Sequence, residues 1–532
     1  MAGLATIQKP EPIVDESTLD HRGPEFRQQI GKVSRQSFVY FAGRIFAIAA
    51  GYFFKVYLAR KLGAEALGDY ALGLTIIGSL GIFNAFGLPR SATRFAAAYR
   101  ATGQFEMLRG FLIRSILILL ASNIVFVPIL LFVGPVIATH MYHSPELRNY
   151  LWLFALLMAL GTLNTFLSEV LAGYKNVARS TVLTTFVGTP LMMFCTIALI
   201  FLGWGLRGYI FAQVLSGLVV LALFILAAWK QTPVSARSLK LPILPLEKRV
   251  VSFSASVFAM ECLGFLISHT DKVFLGIYLN PKQVGIYALA AGVVALVPII
   301  LQSVNQIFSP IISDLHARRN YSLLARMFQT LTKWILGLTF PLAITVIVFA
   351  KPLMKIFGPE FEVGWPVLIV GTLGQLVNCG VGSAGYLLLM SGNEKRLLRI
   401  QLVTAFAMMS LSILLVPHWG ILGAAIAAAI TNVLQNLWFL KGTYEQLHLF
   451  PYNLSYVKLV PAFLASALAL AGVAYFANGI SKLVEISLGG LTAYVAFAIT
   501  ALLAGLDPDD RMIANAIWLR LRSSLPFAEA NI

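Results

Sequence analysis

Apolar stretches of about 20 residues, separated by short polar or basic turns, recur along nearly the whole chain. That is the length an α-helix needs to cross roughly 30 Å of hydrocarbon. Run length and loop chemistry together predict about fourteen spans. Six of them, at 36–59, 67–88, 110–133, 150–172, 181–204 and 208–229, make a first half, 36–229. A polar linker, 230–249, follows, with Pro233, Pro242 and Pro245 and five basic residues. The second half, 250–440, holds spans at 250–272, 284–308, 334–350, 365–390, 400–416 and 421–440. Two more, at 459–477 and 488–506, occupy 459–506. Residues 1–35 and 507–532 read as polar cytoplasmic tails. Pro128, Pro190, Pro298 and Pro341 fall inside spans and predict kinks, because each removes a backbone hydrogen bond. The fold class is an all-α polytopic membrane protein.

Composition agrees. With 58% hydrophobic and 12% charged residues, a water-soluble globule would expose far more apolar surface than such proteins tolerate. The formal charge of +17 would suggest nucleic acid if the basic residues shared a folded polar face. They lie instead in short loops between spans, which excludes nucleic acid as a partner and points to topogenic charge attracted to anionic membrane lipids. With the N-terminus inside, the inner loops collect Arg90, Arg94, Arg100 and Arg109, then Lys175 and Arg179, then the linker cations, then Arg318, Arg319, Arg326 and Lys333, and finally Lys395, Arg396 and Arg399. Both termini are expected in the cytoplasm, and the chain in the inner (plasma) membrane. Cys195, Cys262 and Cys379 are far apart and form neither a disulfide framework nor a metal-ligand spacing.

An internal repeat fixes the expected architecture. Residues 58–72 superpose without gaps on 275–289, 217 positions later, with Leu58, Leu62, Gly68, Tyr70, Ala71 and Leu72 matching Leu275, Leu279, Gly285, Tyr287, Ala288 and Leu289. Each half holds an even number of spans, so the two six-helix lobes are related by a pseudo-twofold axis along the membrane normal, with two helices appended. The interface between such repeats is the expected substrate path.

Extended backwards, the repeat sets Arg44 opposite Glu261 and Lys55 opposite Lys272. Each pair is eleven residues apart, three helical turns, so both charges face one way. A charge at bilayer depth costs about 2.5–3.5 kcal/mol and needs a partner or a water-filled cavity. Either Arg44 and Glu261 flank a central cavity near mid-depth, with Lys55 and Lys272 nearer the outer face, or Arg44 and Glu261 bridge the lobes while the lysines snorkel. Asp271 and Glu169 are further candidates for cavity or coupling carboxylates. Asp271 would otherwise cap its helix or pair with Lys272, and Glu169 would otherwise be a solvated helix end. No Walker loop, zinc-protease helix or nucleophile elbow is present, so the chain is read as no enzyme, with no cofactor and no bound ATP to drive it.

The runs 270–290, Pro310-Ile-Ile-Ser-Asp314, Ser391-Gly-Asn-Glu-Lys395 and 417–425, with Gly68-Asp-Tyr-Ala-Leu72 and Gly87-Leu-Pro-Arg90 in the first half, resemble polysaccharide flippases of the Wzx (O-antigen) type. These belong to the multidrug/oligosaccharidyl-lipid/polysaccharide exporter superfamily. The resemblance covers residues 33–441. It implies alternating access through a cationic cavity that moves a polyprenyl-diphosphate-linked oligosaccharide from the cytoplasmic to the outer leaflet for polysaccharide biosynthesis. Arg44, Lys55 and Lys272 would then bind the diphosphate, and a coupling ion, H+ or Na+, would act through the carboxylates. A polysaccharide polymerase and glycosyltransferases are the expected pathway partners. A lipid II flippase, an ion-coupled multidrug exporter and a non-transporting membrane scaffold are the rival readings.

Overall fold

The computed structural model describes residues 23–237, 242–476, 481–505, 507 and 509–510, with side chains at residue 48 and from residue 50 onward. Most of the two expected tails, and 238–241 of the linker, lie outside the described residues. Every regular element described is helical. Eleven helices are long and apolar enough to cross a membrane, or twelve if Pro281–Val294 and Ile299–Ala317, which meet at a 52° bend, count as one broken span. The bend falls at Pro298, one of the prolines expected to kink a span. The expected fourteen are reached only if two long helices are each divided at a glycine with non-helical backbone: Gly23–Ala85 at Gly63 (φ 81°, ψ 173°) and Glu394–Leu447 at Gly420 (φ 54°, ψ −132°). Without a Cβ, glycine holds such angles with little strain.

Several helices overrun the apolar runs that announced them. Lys248–Tyr278 extends six residues past the expected end at 272, and Tyr321–Val348 begins well before 334. Apolar runs mark the hydrocarbon core, whereas the helix continues into the headgroup zone with charged residues attached. The linker is partly ordered against the first lobe. Arg114 donates from Nε to the Leu244 carbonyl at 2.9 Å, and a methyl at Gly110 would lie 2.6 Å from that same oxygen.

The lobes share one core at one end; at the other their cores are separate, and only Lys248–Tyr278 of the second half packs on the first-lobe core. At the joined end one apolar core runs through both, from Leu58, Leu72 and Phe154 of the first to Leu275, Tyr287, Leu368 and Val416 of the second. At the opposite end the core splits into two. One, around Ala92, Phe166 and Phe224, belongs to the first lobe and the start of Lys248–Tyr278; the other, around Phe308, Phe328 and Leu387, belongs to the second.

The joint is a reciprocal backbone contact between the two repeat glycines. A methyl at Gly68 would lie 1.7 Å from the Pro281 carbonyl oxygen, and one at Gly285 would lie 1.9 Å from the Ala64 carbonyl oxygen. Each glycine thus meets the residue equivalent, in the repeat, to the partner of the other, and only glycine lets the helices approach so closely. The helix starts at this joint are capped differently. Asn280 accepts from Gln283 N at 3.0 Å and so caps its own helix. Gly63 has no side chain to offer, and Ala64 N donates instead to Glu360 Oε1 of the other lobe at 2.8 Å. The other oxygen of Glu360 lies 3.7 Å from Lys282 Nζ, and Arg60 Nε donates to the Ile356 carbonyl at 2.8 Å.

After the last span the chain returns to the second lobe through charge. Lys333, whose side chain is 9% exposed, pairs with Asp507 at 2.9 Å and Asp510 at 2.6 Å. Lys458 reaches Asp507 at 2.5 Å, and Trp334 Nε1 donates to Asp510 at 3.0 Å. Hydrogen bonds from Lys458 and Lys333 push the Asp507 carboxyl down to about 2.

Two outcomes follow from these contacts. Gly285→Ala is expected to lower stability by about 1–3 kcal/mol through overpacking and to speed hydrogen exchange around 64–72 and 281–289. Gly264→Ala, where the added methyl meets nothing within 4 Å, should leave both unchanged. Because the folded Asp507 carboxyl is depressed, its stabilisation is complete above the ordinary aspartate range and is lost as pH falls toward 2. Asp507→Asn should lower Tm at pH 6 and flatten the fall in Tm between pH 4 and 2; an unchanged acid profile would deny the latch.

Candidate functional site

Between the first lobe and the helix Lys248–Tyr278 lies a cavity of about 970 Å³. Gly78 and Ile82 of the helix leaving the glycine joint, and Phe265 and His269 of Lys248–Tyr278, form its inner part. It continues through Arg94, Phe253 and Ser256 into a second space of about 800 Å³ lined by Tyr99, Glu247, Lys248 and Arg249. The cavity therefore runs from mid-bundle toward the end where the two cores are separate.

A short amphipathic helix, Leu88–Ala101, carries its chemistry. It starts after Gly87, whose φ is 67° and whose missing methyl would sit 2.3 Å from the Ser254 carbonyl oxygen. Ser91 and Ser254 share a hydrogen bond of 2.7 Å. Leu88, Ala92, Phe95, Ala96 and Tyr99 face the first-lobe core. Arg90 and Arg94, four residues apart on the other face, line the cavity. Arg90 Nε lies 3.5 Å from Glu261 Oε1, an ion pair between the lobes. Arg94 stacks 4.7 Å over the Phe253 ring. Glu169 accepts from Thr93 Oγ1. At the mouth Tyr99 donates to Glu247 at 2.9 Å, and burial together with that bond raises the Tyr99 hydroxyl above its ordinary value. The lining thus holds two arginines and two glutamates, of which Arg90 and Glu261 form an ion pair, and the mouth adds Lys248 and Arg249 with Glu247.

Of the residues expected from the sequence, this cavity gathers Glu261 and Glu169. The side chain of Arg44 lies outside the described residues. Lys55 does not line the cavity; it sits 4.7 Å over the Tyr52 ring, beside Gly292 near the lobe joint. Lys272 is also elsewhere, with Nζ 3.4 Å from the Ser268 carbonyl. Asp271 is buried away from the lining. It accepts from Tyr287 Oη at 2.7 Å and from the Lys272 amide at 2.8 Å. Tyr70, the repeat partner of Tyr287, donates to Gln213 at 3.0 Å instead. Glu261 is bridged, but across the lobes to Arg90. Arg90 and Arg94 had been absorbed into an inner-loop charge count. Their four-residue spacing, on a segment apolar on its other face, was the signal that they share a helix face. No group of His, Cys, Asp or Glu able to hold a metal ion occurs among the described residues.

Comparison with known proteins agrees with this architecture. The family model described as polysaccharide biosynthesis protein matches residues 33–316, and the MatE model matches 257–414. The chain is 24% identical over 414 residues, 75% of its length and 81% of the other, to the probable low-salt glycan biosynthesis flippase Agl15 of Haloferax volcanii. Its fold is similar to the lipid II flippase MurJ in an inward closed conformation (TM-score 0.68, 15% identity, 87% of this chain and 98% of that one). It is similar also to an inward-facing multidrug resistance MATE family transporter (TM-score 0.62, 17% identity, 74% and 94%). With more than half of it matched by that first model, the chain belongs to the polysaccharide biosynthesis protein family and is a multi-pass membrane protein of the flippase and transporter kind.

Proposed function

We propose that the protein moves a polyprenyl-diphosphate-linked oligosaccharide between leaflets of the plasma membrane, with the cavity mouth toward the cytoplasm and both termini on that side. The observation that carries this reading is the Arg90–Glu261 pair, which links Leu88–Ala101 to Lys248–Tyr278 inside the cavity. Planar, multidentate guanidinium groups match the geometry of a diphosphate. Arg90 and Arg94 supply two guanidinium groups on adjacent turns, and the cavity has room for a sugar headgroup while the lipid tail stays in the bilayer.

The balanced charge suggests how binding is coupled. Arg90 is already occupied by Glu261, so an incoming phosphate competes with a carboxylate. A proton on Glu261 would release Arg90, which makes H+ a natural coupling ion and gives Glu261 a role that Asp271, held by Tyr287, does not share. Phosphate then takes the place of the carboxylate on Arg90, and loss of the ion pair loosens the contact between Leu88–Ala101 and Lys248–Tyr278. A drug-exporting role fits less well, since two arginines with neutralising glutamates suit an anionic headgroup. A lipid-linked peptidoglycan precursor carries the same diphosphate, and its fold-level relative is the lipid II flippase noted above.

The test is leaflet-to-leaflet transfer of a short-chain polyprenyl-diphosphate oligosaccharide in proteoliposomes. Arg90→Ala with Arg94→Ala is expected to reduce transfer tenfold or more, in line with roughly 1.5–3 kcal/mol for each charged hydrogen bond lost. Glu261→Gln is expected to keep headgroup binding and to flatten the dependence of transfer on pH. Full transfer by the double arginine variant at normal protein levels would remove the phosphate role.

A further inference from the structure

A second cavity, of about 830 Å³, lies on the outer side of the second lobe and shares no lining residue with the first. It is a groove between the first turns of 394–419 and the last turns of 421–447. Because the chain changes ends with each span, both segments lie at the cavity-mouth end of the bundle. We infer that this groove binds the headgroup of an anionic membrane lipid, separate from the transported one.

The argument begins with Arg396. A methyl at Gly442 would come within 3.1 Å of Arg396 Nε, so the guanidinium lies across the glycine, and it ion-pairs with Glu445. Arg396 is thereby committed to holding the two helices together. Lys441 lies 3.8 Å from the same carboxylate and is only loosely engaged. Lys395 and Arg399 enter no ion pair among the described residues, and Glu394 is the one remaining carboxylate in the lining. Four cations against two carboxylates leave a net positive rim.

Below the rim the chemistry changes within one helical turn. Arg399 is followed by Val403 and Lys441 is preceded by Trp438, with Ile400 between them, so the groove becomes apolar toward the bilayer centre. Cations at headgroup depth above an apolar floor with a tryptophan match an amphipathic anion, a phosphate with an acyl chain beneath it. A free phosphate would use the rim and leave the floor empty.

The test uses the full chain in nanodiscs of phosphatidylcholine with increasing phosphatidylglycerol, read by Tm and by the lipid retained in native mass spectrometry. The wild type is expected to gain Tm with phosphatidylglycerol and to retain it preferentially. Lys395→Gln with Arg399→Gln and Lys441→Gln should at least halve both effects while matching the wild type in pure phosphatidylcholine. Lys395→Arg with Lys441→Arg should keep both effects, as should Lys175→Gln with Arg179→Gln, a pair on the same membrane face outside the groove. Undiminished effects in the triple neutral variant would overturn the inference, as would an equal loss in the Lys175/Arg179 pair. An equal Tm gain from inorganic phosphate in neutral nanodiscs would reassign the rim to a free anion and overturn it too.

Discussion

Two glycines, Gly68 and Gly285, pressed onto the backbone of the opposite lobe, set the shape of everything else. A side chain at either would have to occupy the volume of a carbonyl oxygen. Because the contact is reciprocal about the repeat axis, it closes one end of the bundle as a paired joint, and the lobes diverge from it. The split of one continuous core into two separate ones toward the other end is the same fact seen in packing. The joint also borrows a helix cap. Glu360 serves the amide of Ala64 across the lobes, whereas Asn280 serves its own helix. Separating the lobes therefore strips a cap from one side only, and the symmetry of the repeat is broken in energy as well as in sequence.

At the divergent end the lobes communicate through charge. Arg90 is 72% exposed and Glu261 28%, and their separation is 3.5 Å. An ion pair this open to water contributes about 0–1 kcal/mol. On the proposed reading it is weak enough for a phosphate to displace. By contrast, Lys333 with Asp507 and Asp510 is nearly enclosed. Breaking such a pair by removing one partner typically costs about 3–5 kcal/mol. The first pair suits a switch and the second an anchor.

The fold was legible because its strongest signals are local. Span positions follow from apolar runs, as Leu459–Phe476 against the expected 459–477 shows, and the matching residues of 58–72 and 275–289 placed the two glycines at equivalent positions before any contact was visible. Lengths were less legible, since helices such as Lys248–Tyr278 continue past their apolar core. The site was half legible. Glu261 and Glu169 stand out in the sequence because an intramembrane carboxylate is rare, and both line the candidate cavity. Arg90 and Arg94 were missed because an arginine beyond the end of a span looks like a topology signal, and only the path of Leu88–Ala101 under the lobes turns it inward. Asp271 lies outside the lining. It breaks the repeat, facing Phe54 in register, but its difference is satisfied locally by Tyr287.

On the proposed reading, two arginines on one short helix recognise a lipid diphosphate. The direct measurement is equilibrium binding to the purified protein in neutral nanodiscs, comparing a polyprenyl-diphosphate sugar with the matching monophosphate and with the uncharged polyprenyl sugar. Affinity is expected to fall in that order, with the difference abolished in Arg90→Ala/Arg94→Ala. Equal affinity for the uncharged lipid in the wild type would contradict it.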